Sequence, residues 1–236
     1  MLSRSQLTAI AMGIASTTSA NLCNAALDEW QFEVVPFVWS AGMQGHESVQ
    51  GMPAQLSTSI SDLIRLVDVG AATRFNARRG SVTWFAEANY VQLEGDEASP
   101  VGLVRTRSDE TFGEGGLMYD ITPTLSLYGG VRYRQIQTNV QTPTTLSAAD
   151  ESWVDGLVGV RWLPVQSGPW LVWIRSDLAA GESSSGWLAE AGGGYRSENA
   201  WSVYLAYRVL DTNYRSDALR YDTRQFGLQA GIGFRF

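Results

Sequence analysis

Residues Gln225 to Phe236 read QFGLQAGIGFRF. Phe226, Leu228, Ala230, Ile232, Phe234 and Phe236 share one parity, and Gln225, Gly227, Gln229, Gly231, Gly233 and Arg235 share the other. Successive side chains of a strand point to opposite faces, so this is a strand with one apolar and one polar face. In a soluble sandwich the apolar parity would turn inward. Here the second parity is mostly Gly and Gln with one Arg, which suits the inside of a narrow barrel with its apolar face outward.

The alternation recurs upstream. Val82, Trp84, Ala86, Ala88 and Tyr90 alternate with Thr83, Phe85, Glu87 and Asn89, and Leu125, Leu127, Gly129, Val131 and Tyr133 with Ser126, Tyr128, Gly130, Arg132 and Arg134. Similar runs occupy Val154–Trp162, Trp170–Leu178, Trp187–Arg196 and Trp201–Val209. Aromatic residues stand toward the ends of the apolar faces: Trp84 and Tyr90, Tyr133, Trp162 and Trp170, Trp187 and Tyr195, Trp201 and Tyr207. Such rings form girdles where a membrane barrel meets the headgroups. The other face carries charges of both signs, which a soluble barrel would turn to water.

Composition agrees. The chain has 236 residues, 11% aromatic and only 17% charged, with 24 Gly. This is unlike a disordered chain, which is rich in charge and poor in aromatics, and unlike a helical bundle, since Gly, Trp, Tyr and Val are weak helix formers. The net charge of −7 argues against general nucleic-acid binding. All 17 basic residues are Arg, the cation suited to fixed, water-poor ion pairs.

Residues 1–26 read as a secretory signal peptide, with Arg4 before the apolar run LTAIAMGIA and small residues before a cleavage point near Ala25. Residues 27–236 are then the barrel. Short turns are expected at Arg79-Gly80, Thr122–Thr124, Pro164–Pro169 and Ser197–Asn199. Longer loops are expected at Ala41–Gly70, Glu94–Val104, Thr138–Asp150, Gly181–Gly186 and Asp211–Tyr221. The fold expected is an all-β, transmembrane, up-and-down antiparallel β-barrel of about ten strands, with eight or twelve as alternatives. Leu63, Ile64 and Val67 fall at helical spacing, so one short helix is expected over Ser61–Val69 in the first long loop.

Leu228, Ala230, Ile232, Phe234 and Phe236 resemble the C-terminal signal of bacterial outer-membrane β-barrel proteins. The resemblance implies location in a Gram-negative outer membrane. It also implies contact with its lipid and lipopolysaccharide, and handling by the outer-membrane assembly machinery. The stretch from Val35 to Gly95 resembles an uncharacterised family of small barrels at Pro36, Phe37, Trp39, Gly42, Gly45, Ser61, Asp62, Leu63, Tyr90 and Leu93. That family brings no activity with it.

With the polar parity inward, the lumen receives seven acids: Glu33, Glu87, Glu114, Asp120, Asp155, Asp177 and Glu190. It also receives nine arginines: Arg74, Arg78, Arg132, Arg134, Arg161, Arg175, Arg196, Arg208 and Arg235. A barrel this narrow is filled by its own side chains, and a lone buried charge costs far more than a paired one. A cross-strand ion-pair network is therefore expected, in a monomer with a structural or surface-interaction role.

The alternative is a small passive channel, with Gly-rich inner faces at 113–116, 129–130, 192–194 and 231–233 leaving space between the charges. An enzyme is not expected. A lone His46 and a lone Cys23 offer no catalytic constellation, metal cluster or cofactor site, and no Gly-x-Ser-x-Gly elbow is present. A loop-based lipid hydrolase using His46 would need partners from other loops.

Overall fold

The structure is a computed structural model that describes residues 29–49, 52–54, 67–99, 102–141, 146–183 and 185–236. The signal-peptide reading lies outside these residues. Eleven strands follow in chain order: β1 Gln31–Val49, β2 Met52–Ala54, β3 Val67–Arg79, β4 Val82–Ser99, β5 Gly102–Asp120, β6 Leu125–Gln141, β7 Leu146–Ser167, β8 Trp170–Gly181, β9 Ser185–Arg196, β10 Trp201–Arg215 and β11 Leu219–Arg235. From β3 to β11 each strand pairs antiparallel with the next, β1 pairs with β3, and β11 returns to β1. The result is a closed barrel of ten strands, with β2 folded back on the end of β1.

Closure is extensive. The β1–β11 ladder runs from Glu33↔Arg235 to Val49↔Leu219. Beyond it, Phe32 N–H donates to the Phe236 carbonyl at 3.0 Å and Phe236 N–H to the Phe32 carbonyl at 3.1 Å. A closed ladder leaves no unpaired edge, which lets a sheet stand with apolar side chains outward in lipid. In β8 buried and exposed residues alternate unbroken from Trp170 to Ala180. Short turns fall between β3 and β4, β5 and β6, β7 and β8, and β9 and β10 as expected, although β7 continues to Ser167 with a register shift after Trp162, which narrows the turn expected at Pro164–Pro169 to Gly168-Pro169. Gly80 (φ 58°) and Gly168 (φ 56°) supply the left-handed backbone at two of them.

The other end differs from the sequence reading. Most of the expected long loops are strand. β1 continues to Val49, β4 and β5 continue to Ser99 and from Gly102, β6 and β7 to Gln141 and from Leu146, and β10 and β11 to Arg215 and from Leu219. Their outer faces are largely polar and their inner faces carry only scattered apolar residues such as Met43, Val140, Ala149, Tyr214 and Leu219, so an unbroken hydrophobic alternation does not mark them. Ladder hydrogen bonds extend them regardless. The helix expected over Ser61–Val69 is corrected at its end, because Val67–Val69 belong to β3 and pair with Leu93 and Gln92 of β4. Three apolar residues are a short sample of a period, and pairing decides the conformation. Residues 61–66 lie outside the described residues.

Inside the wall, large rings sit against glycines on the neighbouring strand. Tyr128 is opposite Gly159, and Trp173 is opposite Gly192. Tyr204 is opposite Gly194 and Gly231. A Cβ on Gly159, Gly192 or Gly194 would run into the ring beside it. Gly116 and Gly130 are directly opposed, and a Cβ on either would strike the other strand's backbone. The glycines of the inner faces thus accommodate rings and close backbone approach. A Gly192→Ala substitution is expected to lower stability by about 1–3 kcal/mol through overpacking. Gly156→Ala, at an exposed site with ordinary clearance, should stay within about 0.5 kcal/mol. Urea unfolding midpoints of the two variants check this.

Candidate functional site

The candidate site is the lumen, because the inward parity gathers most of the buried charge. At its centre Arg208, fully buried, bridges two carboxylates. Its Nη1 and Nη2 donate to Glu87 at 2.5 and 3.0 Å, and its Nε and Nη2 to Glu190 at 2.9 and 2.7 Å. Arg74 reaches the same pair, at 2.8 Å from Glu87 and 3.4 Å from Glu190. Beside them Arg132 bonds Glu114 and Asp177, each at 2.8 Å. Arg175 bonds Glu114 and lies 3.6 Å from Asp177.

Neutral donors complete the carboxylates. Tyr128 Oη donates to Asp177 at 2.8 Å, and Trp173 Nε1 to Glu190 at 2.9 Å. The Gln229 amide, with its oxygen toward Arg208, accepts from Arg208 Nε at 2.9 Å and donates to Glu190 at 3.1 Å. Aromatic faces cover the guanidiniums: Arg208 lies 5.5 Å from the Trp39 ring centre, Arg132 5.5 Å from Phe112 and Arg175 5.5 Å from Tyr128. Four arginines and four acids therefore hold one another in a water-poor space, each charge with at least two partners of opposite sign.

On the loop side of this network Phe112, Leu188 and Leu210 pack with Trp39. Arg134 follows, and it bonds neutral partners: Gln225, Thr212 at 3.1 Å and Tyr221 at 3.4 Å. Gln225 in turn donates to the buried Glu110 at 2.8 Å. A last layer of Ile136, Ala149, Trp153, Tyr214, Leu219 and Tyr221 lies nearest the loops, with Trp153 and Tyr214 stacked 4.1 Å apart.

The opposite end is looser. Arg78 pairs with Asp120 at 2.7 Å, and Arg161 approaches the same carboxylate at 3.7 Å. Glu33 accepts from Tyr204 at 2.5 Å and from Ser202 at 3.3 Å. Arg235 donates to the Ser197 carbonyl, and Arg196 is exposed. Between this rim and the central network lies a cavity of about 110 Å³.

Of the residues expected inward, Glu87, Glu114, Arg132, Arg134, Asp155, Arg175, Asp177, Glu190 and Arg208 are buried, Glu33, Arg74, Asp120, Arg161 and Arg235 are half-buried, and Arg78 and Arg196 are exposed at the rim; not all form ion pairs. Asp155 is buried and accepts the Ser183 N–H at 2.9 Å, tying down the β8–β9 connection. Sequence reasoning missed Glu110 and the roles of Tyr128, Trp173, Tyr204 and Gln229. Their parity was readable, since Tyr128 shares a face with Arg132, but their partners depend on cross-strand register.

The outward face carries an apolar band nine residues long on strand after strand: Val82–Tyr90, Leu125–Tyr133, Val154–Trp162, Trp201–Val209 and Phe226–Phe234. At roughly 3.3 Å per residue and a tilt near 40° this spans about 20–23 Å, close to the roughly 25 Å apolar band of a membrane barrel. Trp84, Trp162, Trp170, Tyr195 and Trp201 ring the short-turn end, while Tyr90, Tyr133, Trp187 and Tyr207 stand toward the loops. Trp170 and Tyr195 meet edge to face at 5.1 Å. Above the band charges return, with Arg224 bonding Asp211 at 2.9 Å and lying 5.6 Å from the Trp187 ring centre. Leu228, Ala230, Ile232, Phe234 and Phe236 are all outward and exposed. His46 is exposed on β1, facing Asp222 across the ladder.

No protein-family model and no curated protein matches the chain. Solved structures similar to it include the attachment invasion locus protein Ail of Yersinia pestis, at 11% identity and TM-score 0.39, covering 89% of this chain and 99% of that one. The translocator domain of the autotransporter NalP from Neisseria meningitidis is similar at 11% identity and TM-score 0.39, covering 93% and 94%. Neisserial surface protein A is similar at 12% identity and TM-score 0.32, covering 88% and 97%. Likenesses at these identities and scores add nothing to what the chain's own pairing shows. The chain folds as a closed barrel of the outer-membrane type: antiparallel, apolar outside and polar within.

Because Arg208 holds two buried carboxylates, Arg208→Met is expected to cost about 3–5 kcal/mol. Arg224→Gln, which breaks an exposed pair, should cost less than about 1 kcal/mol. Adding Glu190→Gln to Arg208→Met should recover part of the loss, since it removes a stranded charge. Urea unfolding midpoints of the folded barrels check the series.

Proposed function

We propose that this chain is an integral barrel of a bacterial outer membrane, exported by its N-terminal segment and monomeric there. In this reading it works as a rigid, non-conducting ring that holds its loop-side hairpins beyond the membrane. The observation that carries the reading is the central network of Arg74, Arg132, Arg175 and Arg208 with Glu87, Glu114, Asp177 and Glu190. It occupies the centre of the lumen with charges paired to opposite charges, and aromatic layers cover it on the loop side. A hydrated ion crossing the barrel would have to separate several of these pairs in a low-dielectric space.

Supporting the membrane location are the apolar band and its aromatic girdles. The lipid and lipopolysaccharide of the outer membrane are then its surroundings. The outward residues Leu228, Ala230, Ile232, Phe234 and Phe236 are its signal to the assembly machinery. Supporting the surface role is the length of the strands. β4 and β5 run nine residues past Tyr90 to Ser99 before the chain turns. These hairpins stand above the apolar band, where a barrel presents its surface to partners. The reading is non-catalytic.

The test is conductance. The protein, folded in detergent and inserted into a planar bilayer, should give no stable steps above a heat-denatured control. Folding is confirmed separately by heat-dependent gel migration. Reproducible steps from the folded barrel would overturn the filled-lumen reading and favour a passive channel.

A further inference from the structure

The cavity at the short-turn end has a chemical bias. Its walls are largely apolar, with Val35, Phe85, Met118, Leu163 and Leu171 among the lining residues, and its inner end is the central ionic network. At its mouth the inward-facing charges are four arginines (Arg78, Arg161, Arg196 and Arg235) and two acids (Glu33 and Asp120).

The two acids are already engaged. Glu33 accepts from Tyr204, Ser202 and Asn76. Asp120 accepts from Ser126 at 2.6 Å and pairs with Arg78 at 2.7 Å. The uncommitted groups are cationic. Arg161 lies 3.7 Å from Asp120 and donates weakly to Ser126 at 3.4 Å, while its buried Nε has no hydrogen-bond partner among the described residues. Arg196 lines the same cavity and makes no ion pair among the described residues.

We propose that this vestibule binds a small carboxylate with a short apolar body, its carboxylate held by Arg161 and Arg196 and its chain laid against the apolar wall. Planar guanidiniums match a carboxylate through paired, charge-assisted hydrogen bonds. A cavity of about 110 Å³ takes several water-sized occupants and so admits a molecule of a few heavy atoms. The site opens toward the short turns and ends blindly at the central network. It is therefore a binding site and not a segment of a conduit. The inference rests on the filled-lumen reading for its blind end, but not on the location of the barrel.

The experiment uses the full chain folded in non-ionic detergent. Pentanoate is titrated by calorimetry and ligand-observed NMR, beside pentan-1-ol, pentylammonium and inorganic phosphate. Pentanoate is expected to bind saturably and at least tenfold tighter than the other three. Arg196→Gln should weaken it about threefold, and Arg161→Gln with Arg196→Gln tenfold or more, with unchanged heat-dependent gel migration showing that each barrel is folded. Should the double variant fail to fold, the threefold loss in Arg196→Gln decides alone, because Arg196 is exposed and holds no ion pair. Absence of saturable binding, equal affinity for the alcohol or for phosphate, or a variant that binds like wild type would overturn the proposal. Conductance is a separate readout, so failure here and failure of the filled-lumen reading are distinguishable.

Discussion

The bridge from Arg208 to Glu87 and Glu190 is the interaction around which the barrel is organised. A guanidinium with no exposed surface is tolerated only where its donors meet acceptors in fixed positions. Here those acceptors come from β4 and β9, while Arg74 on β3 shares them. The adjoining cluster adds β5, β6 and β8. Strands distant in sequence are thus locked to one register. A slip of one residue would turn every charge of a strand into lipid and every apolar side chain into the lumen.

Packing complements charge. Tyr128 and Trp173 each donate to a network carboxylate, and each lies against a glycine of the next strand. Ring size, missing Cβ and carboxylate position are consequently one arrangement. Removing the space would move the ring and withdraw its hydrogen bond. Gly192, one of the glycines that suggest open space in the sequence, is instead the seat of the Trp173 ring.

Much of this was legible in the sequence, and the limits are physical. Parity is local, so the faces of β4, β6, β8 and β11 could be read residue by residue. The short turns carried Gly, Pro or Asn, whose backbone preferences are also local. Strand length beyond the apolar band was not legible, because Glu94–Ser99 and Thr138–Gln141 are held by ladder bonds and carry at most an isolated apolar residue such as Val140. Nor was the pairing inside the lumen. Arg132 faces Asp155 in the ladder but bonds Glu114 and Asp177, while Asp155 turns to the Ser183 backbone. Such choices are made across the barrel, where sequence spacing carries no information.

The seam between β1 and β11 has a temporal consequence. It joins the first strand of the ring to the last, across just over two hundred residues of sequence, from Glu33 to Arg235. Until Phe236 has been synthesised and delivered, β1 presents an unsatisfied edge, the kind of surface that seeks any available strand. Contacts of such sequence separation form late and slowly. A ring closed by strands so far apart in sequence therefore keeps that edge open longer than one closed by sequence neighbours.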